Sequence, residues 1–251
     1  MEETKTKQSP LYTAKYILFA VLFAAFIFFI IFIASYIQQE FSRVESANAE
    51  KSQKSPTIVI DAGHGGEDGG TSGGGVVEKD LNLSIAKDLA DMLRAAGFEV
   101  VLTREDDRLL YDPQSDYKGR KKQLDLAERL RIGESIENAV FVSIHMNSFS
   151  DSKYRGLQVY FSPNDPTSRE LAESIQTSVA EHLQPDNKRS IKQATSRILI
   201  LHQIKKPAVL VECAFLSNPD ESSLISTEEY RKKLTFCIFC GICEFISENS
   251  Y

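Results

Sequence analysis

The sequence predicts an α/β domain with a mostly parallel sheet, carried behind one apolar N-terminal helix. Three observations predict it. From Thr57 onward, short β-branched runs alternate with stretches of helical periodicity, a pattern that builds a mostly parallel sheet flanked by helices. The run Tyr16–Ile37, YILFAVLFAAFIFFIIFIASYI, carries no charge and reaches the roughly 20 apolar residues that a helix needs to cross hydrocarbon. Three apolar strands run directly into His64, His145 and Glu212, residue types that core packing rarely selects.

The elements follow in order. Residues 1–15 carry Lys5, Lys7 and Lys15, whereas Glu40, Arg43 and Glu45 follow the span. The positive excess places residues 1–15 in the cytoplasm, residues 16–37 across the cell membrane and the remainder on the extracytoplasmic side. A secretory signal has a shorter apolar core of about 7–15 residues. The triplet Ala47-Asn48-Ala49 has the form of a cleavage site but lies well beyond the apolar run. Residues 38–56 are polar and read as a linker, and residues 57–251 as one catalytic-sized domain.

Within that domain, Thr57–Gly63 reads as a strand that ends at glycine. Lys79–Ala96 has Ile85, Leu89, Met92 and Leu93 at helical spacing, with Asp80 as the expected cap and Gly97 as the stop. Phe98–Arg104 is a strand, and a polar loop leads to a helix over Lys118–Glu137. Ala139–His145 is a buried strand, Gly156–Ser162 an alternating edge strand, and Thr167–Leu183 a helix. Arg197–Leu201 (RILIL) and Ala208–Glu212 (AVLVE) read as strands, and Thr227 caps a last helix to Ser247.

Composition narrows the function classes. Of 251 residues, 42% are apolar and 25% charged, and the net charge is −6 with a pI near 5.4. That balance suits a globular core and argues against a nucleic-acid-binding domain, which carries a basic patch.

In open α/β sheets, sites form beyond the carboxyl ends of the strands. His64, His145 and Glu212 would therefore meet at one edge, and Glu78, just ahead of the first helix of the domain, reaches the same edge. Two imidazoles and one carboxylate form a catalytic zinc arrangement whose fourth position is open to water. A further carboxylate must move the proton. His64, Glu78 and His145 are the expected metal ligands and Glu212 the expected general acid/base. A structural zinc site would instead be closed by four ligands, usually cysteine-rich, and no H-E-x-x-H helix is present. Two distant histidines are a weak signal by spacing alone.

The motifs Ile60-Asp-Ala-Gly-His-Gly-Gly-Glu-Asp-Gly-Gly70, Glu78-Lys79, Ser143-Ile-His-Met-Asn147, Pro207-Ala-Val-Leu-Val-Glu212 and Phe215-Leu-Ser-Asn218 resemble those of the zinc-dependent N-acetylmuramoyl-L-alanine amidases of the amidase type 3 family. The likeness runs from Thr57 to the C-terminus. It implies a phosphorylase/hydrolase-like fold, a single Zn2+, peptidoglycan as substrate, His64, Glu78 and His145 as ligands, and Glu212 as the catalytic glutamate. Within the family the arrangement is most similar to the spore-cortex type linked to germination, which also has one N-terminal span followed by a bare catalytic domain and a stretch like Tyr117–Arg129. That type strips stem peptides from muramic acid before a second enzyme forms muramic δ-lactam. The departures are Ala62 where proline is common, Met146 where alanine or leucine is common, and Cys213-Ala214 where glycine is frequent. No long helical insertion follows His145, so blockage of the site by that route is not expected. The membrane tether is expected to localise the enzyme, and an activating partner protein stays open. The rival readings are a catalytically inactive wall-binding module, a zinc hydrolase of another wall peptide bond, and a structural membrane protein without metal.

Other signals have plainer readings. The glycine-rich stretch Gly63–Gly75 lacks the P-loop pattern and reads as a loop close to metal and substrate. Cys237, Cys240 and Cys243 sit in a continuous apolar helix and read as core, as does Cys213. His182 reads as a surface residue and His202 as a residue that could line the cleft. Asn147 and Asn218 could hold substrate or serve as turn and cap residues. Arg129 reads as solvated or salt-bridged, and the basic residues Lys118–Lys122 as a solvated helix start.

Overall fold

The structure is a computed structural model that describes residues 10–112, 114 and 118–249. The N-terminal lysines Lys5 and Lys7 and the loop residue Tyr117 lie outside the described residues. The chain divides into two compact units, with the boundary between Lys54 and Ser55. The first is a single helix, α1 (Pro10–Lys54), which continues past Ile37 through the polar stretch. Its stretch Val21–Val44 is long and apolar enough to cross a membrane, and none of it is buried in protein.

The second unit starts with β1 (Thr57–Ala62). A small hairpin of β2 (Ser72–Gly73) and β3 (Val76–Val77) leads into α2 (Glu78–Ala95) and β4 (Val100–Leu102). Then come α3 (Lys121–Glu134), β5 (Ala139–Asn147), β6 (Gln158–Phe161), α4 (Thr167–His182), β7 (Lys192–Gln193), α5 (Leu199–Gln203), β8 (Ala208–Phe215), α6 (Pro219–Ser226) and α7 (Glu228–Glu248). The six-stranded sheet has the order β4-β1-β5-β8-β6-β7. All its pairings are parallel except β6 against β8, so the mostly parallel α/β architecture read from the sequence holds.

The central strands are buried on both faces, which is why β1, β5 and β8 read as unbroken apolar runs. On one face α2, α4 and α7 pack over Ile58, Ile60, Val142 and Val211. On the other, α3 and α5 cover Val59, Phe141, Ala208 and Leu210. Leu81, Ile85, Leu89 and Leu93 stand four residues apart along α2 and are all buried, as a helix that lays one stripe on a sheet requires. The helix ends where Gly97 N–H donates to Arg94 O and Phe98 N–H to Leu93 O, the Schellman pattern.

Several local expectations need correction. Residues Arg197–Leu201 do not form a strand. Leu199–Gln203 is the short helix α5, which buries Ile200 and Leu201 against the second face, and a short apolar run fits either element by periodicity. The cap of α2 is Val77 without a side-chain bond, not Asp80. Strand β6 is not the sheet edge, because β7 pairs outside it. Helix α6 is an addition to the elements read from the sequence. Thr227 does cap α7, its hydroxyl accepting from Tyr230 N–H. No helix lies between Asn147 and Gln158.

Candidate metal centre

The carboxyl ends of β1 and β5 and the start of α2 bring three side chains together. His64 Nε2 lies 3.2 Å from Glu78 Oε1, and His145 Nδ1 lies 3.0 Å from the same oxygen. The two rings meet edge to face with centroids 5.0 Å apart. One ligand atom from each of the three residues lies within 4.8 Å of the others, so the group could hold a metal ion. Glu212, on β8, stands directly opposite His145 in the strand register. Its Oε2 is buried and has no hydrogen-bond partner among the described residues.

Two glycines make this crowding feasible. A Cβ on Gly63 would fall 2.2 Å from His145 Nε2, far inside van der Waals contact. A Cβ on Gly70 would fall 2.4 Å from Glu78 Oε2. His64 itself has φ +61°. A non-glycine residue there costs about 1–2 kcal/mol, so the surroundings must hold it.

They do so through the main chain. Arg129 is 2% exposed. It donates from Nη2 to His64 O at 2.7 Å, from Nη1 to Ala62 O at 2.7 Å and Asp61 Oδ1 at 2.6 Å, and from Nε to Asp125 Oδ2 at 2.8 Å. Arg104 donates from Nε to Ala62 O at 2.8 Å and from Nη2 to Gly63 O at 3.1 Å. Asp61 also accepts from Thr103 and Ser143. Of the two readings of Arg129, the salt-bridged one holds, and the side chain is a buried anchor. Lys121 and Lys122 likewise pair with Glu67 and Asp68 of the glycine-rich loop.

The second-layer contacts suit a metal. His64 Nδ1 lies 3.0 Å from Asp68 Oδ2, near enough for the carboxylate–imidazole pairing that orients histidine ligands, although the two are not aligned as a hydrogen bond. Glu78 Oε2 accepts from Thr71 N–H at 2.8 Å and Oε1 from Met146 N–H at 3.0 Å. Burial alone would raise the Glu78 carboxyl, but the two imidazoles beside it outweigh burial and hold it far below the ordinary carboxylate range. Burial pushes Glu212 the other way, up to about 7, with Glu78 adding and the histidines opposing.

A family model described as N-acetylmuramoyl-L-alanine amidase matches residues 58–244. The chain belongs to that family. The amidase is 31% identical over 192 residues to the germination-specific N-acetylmuramoyl-L-alanine amidase of Bacillus subtilis (strain 168), covering 76% of this chain and 80% of the relative. Among solved structures it is similar to the CwlD amidase of Clostridioides difficile, determined in complex with the GerS lipoprotein, with TM-score 0.74, 36% identity, and 77% and 100% of the two chains covered. It is also similar to the amidase AmiC2 of Nostoc punctiforme, with TM-score 0.65, 29% identity, and 76% and 97% covered. The protein is therefore a peptidoglycan amidase for the bond between N-acetylmuramic acid and L-alanine.

The remaining candidates fall outside the cluster. Asn218 caps α6, accepting from Asp220 N–H and Glu221 N–H. His182 bonds to Ser178 O of its own helix, and His202 is exposed on α5. Cys213 and Cys237 are buried, Cys240 and Cys243 are half-buried, and all four are free thiols. Burial pushes the Cys213 thiol well above its ordinary value, which suits a packing role. Sequence reasoning missed Arg104 and Asp61 and gave Arg129 no place at the site; its salt-bridged reading holds, but its charge carries no local signal of burial.

Proposed function

We propose that the amidase works with one Zn2+ held by His64, Glu78 and His145, and with Glu212 as general acid/base. The observation that carries this reading is the convergence of the three ligand atoms beside a buried, unpartnered carboxylate oxygen. Zinc bound there would supply Lewis acidity toward the scissile carbonyl and a water of lowered pKa. The chain's own groups do the rest. Asp68 and Thr71 fix His64 and Glu78. Glu212 takes a proton as the water oxygen bonds to the lactyl carbonyl carbon, and returns it to the alanine nitrogen as the C–N bond breaks, leaving a carboxylic acid and a free amine. A buried carboxylate that stands opposite His145 with one oxygen unpartnered is placed for both transfers.

Metal analysis combined with mass spectrometry of digested peptidoglycan tests this. Wild type should hold about one zinc and release peptide stems, leaving peptide-free muramic acid, and a chelator should abolish release. Glu212→Gln should keep the metal and lose about 10²–10⁴-fold in kcat. Turnover near wild type in that variant refutes the assignment. Cleavage elsewhere in the stem would identify a peptidase instead.

The division read from the sequence joins this proposal: residues 1–15 cytoplasmic, 16–37 the membrane span, 38–56 the linker and 57–251 the zinc amidase domain. The apolar, unburied Val21–Val44 stretch supports the span, with the domain extracytoplasmic, where its substrate lies. The germination-specific relative and the CwlD neighbour favour stem removal during spore-cortex maturation, ahead of muramic δ-lactam formation by a second enzyme. The neighbour's lipoprotein complex favours an extracytoplasmic protein partner here as well. Muropeptide analysis of cortex from a deletion strain tests the spore role: loss of peptide-free muramic acid and of its lactam is expected.

A further inference from the structure

One feature beside the catalytic residues has no part in the chemistry above. Along the carboxyl end of the sheet, His145 stands opposite Glu212, and Glu212 opposite Gln158 on β6. Gln158 is 2% exposed. Its Nε2 donates to Ser190 O and its Oε1 accepts from Arg189 Nη2, both at 2.7 Å. The Arg189 guanidinium also lies 4.7 Å over the Phe215 ring. Phe215 stacks on Tyr154 at 6.3 Å, and Tyr154 meets Phe149 edge-on at 4.9 Å.

Arg189 is therefore held on two sides by uncharged partners. It has no ion pair among the described residues, and its Nε is buried without a hydrogen-bond partner. The nearby carboxylate of Glu221 is committed to Gly156 N–H and Phe215 N–H, each at 2.8 Å. Arg189 also lines a cavity of about 480 Å³ with Arg155, Leu183, Leu224 and Tyr230, where Asp186 and Asp220 also sit. A guanidinium fork fixed by uncharged partners, which Glu221 reaches only through space, keeps donors available for a carboxylate.

We propose that Arg189 is a specificity residue that binds a carboxylate of the stem peptide. The proposal rests on reading the His145–Glu212 row as the place of the scissile bond. Two strand spacings separate His145 from Gln158, roughly 10 Å. That is about three residues of extended peptide, so the carboxylate belongs to the first three residues of the stem.

The test titrates the full-length chain, in detergent, with a synthetic tripeptide that begins with L-alanine. The peptide is supplied as the free acid and with every carboxylate converted to carboxamide. Wild type should bind the acid about 10–100-fold more tightly. Arg189→Gln should remove that difference and, with purified peptidoglycan as substrate, raise KM with kcat little changed, and Arg189→Lys should restore part of it. Equal binding of acid and amide by wild type overturns the proposal, as does a variant that weakens both forms alike, which marks a structural role. Failure of the zinc amidase reading is seen separately, as wild type that releases no stem from peptidoglycan, and the binding comparison still decides Arg189.

Discussion

Replacing Arg129 with methionine tests the architecture beneath the site. Its guanidinium is buried between Asp61 and Asp125 and also binds the carbonyls of Ala62 and His64. Asp61 and Asp125 are each 2% exposed or less. Methionine replaces the aliphatic stem of the side chain but ends short of the guanidinium and removes every donor. Two buried carboxylates then lose their cation, a change that costs about 3–5 kcal/mol. For a domain of this size, each kcal/mol moves Tm by about 2–4 °C, so a fall of about 6–20 °C is expected. The assay is thermal unfolding, followed by circular dichroism, of the Ser55–Tyr251 fragment, which contains both hydrophobic clusters whole. A fall of less than about 3 °C would mean that water or a local shift satisfies both aspartates, and the anchoring argument would fail. Metal affinity should weaken as well, since His64 loses the bond that holds its carbonyl.

Two further outcomes follow from the same geometry. The Asp61 carboxyl, although burial acts to raise it, is held below its ordinary value by Arg129 and by the Ser143 and Thr103 hydroxyls. Its contribution to stability is present above its unfolded pKa of about 3.9 and is lost as pH falls through the lower folded value. Urea unfolding at stepped pH should therefore show a steep loss below about pH 4, and Asp61→Asn should flatten that limb while lowering stability at neutral pH. Gly63→Ala drives a methyl into the His145 ring. The fragment should lose bound zinc by metal analysis while its far-ultraviolet dichroism stays close to wild type, and retention of full zinc would show that His145 can yield.

Much of this arrangement is legible in the chain. His64, His145 and Glu212 stand out because a parallel sheet buried on both faces leaves polar residues few places other than strand ends. Glu78 is legible by its position between a glycine-rich loop and an amphipathic helix. Helix α6 has a readable start, Asn218 followed by Pro219 with Asp220 and Glu221 in the first turn, since Asn caps and proline suits the first helical position. Residues Leu199–Gln203 are not legible in this way, because packing against Phe141 and Leu210 from above decides helix over strand. Arg129 is hidden for a related reason. Its partners Asp61 and Ala62 lie 68 and 67 positions away in the chain, and a charged residue on a helix reads as solvated until the fold closes over it.

The grip on the His64 loop has an evolutionary consequence. Arg104 and Arg129 reach residues 62, 63 and 64 through backbone oxygens, which every amino acid possesses. Position 62 can therefore drift among small residues without loosening the clamp, because the clamp does not read which side chain is there. Tolerance of small residues at position 62 and intolerance at Arg104 and Arg129 should go together in a saturation library, because one set of backbone contacts underlies both.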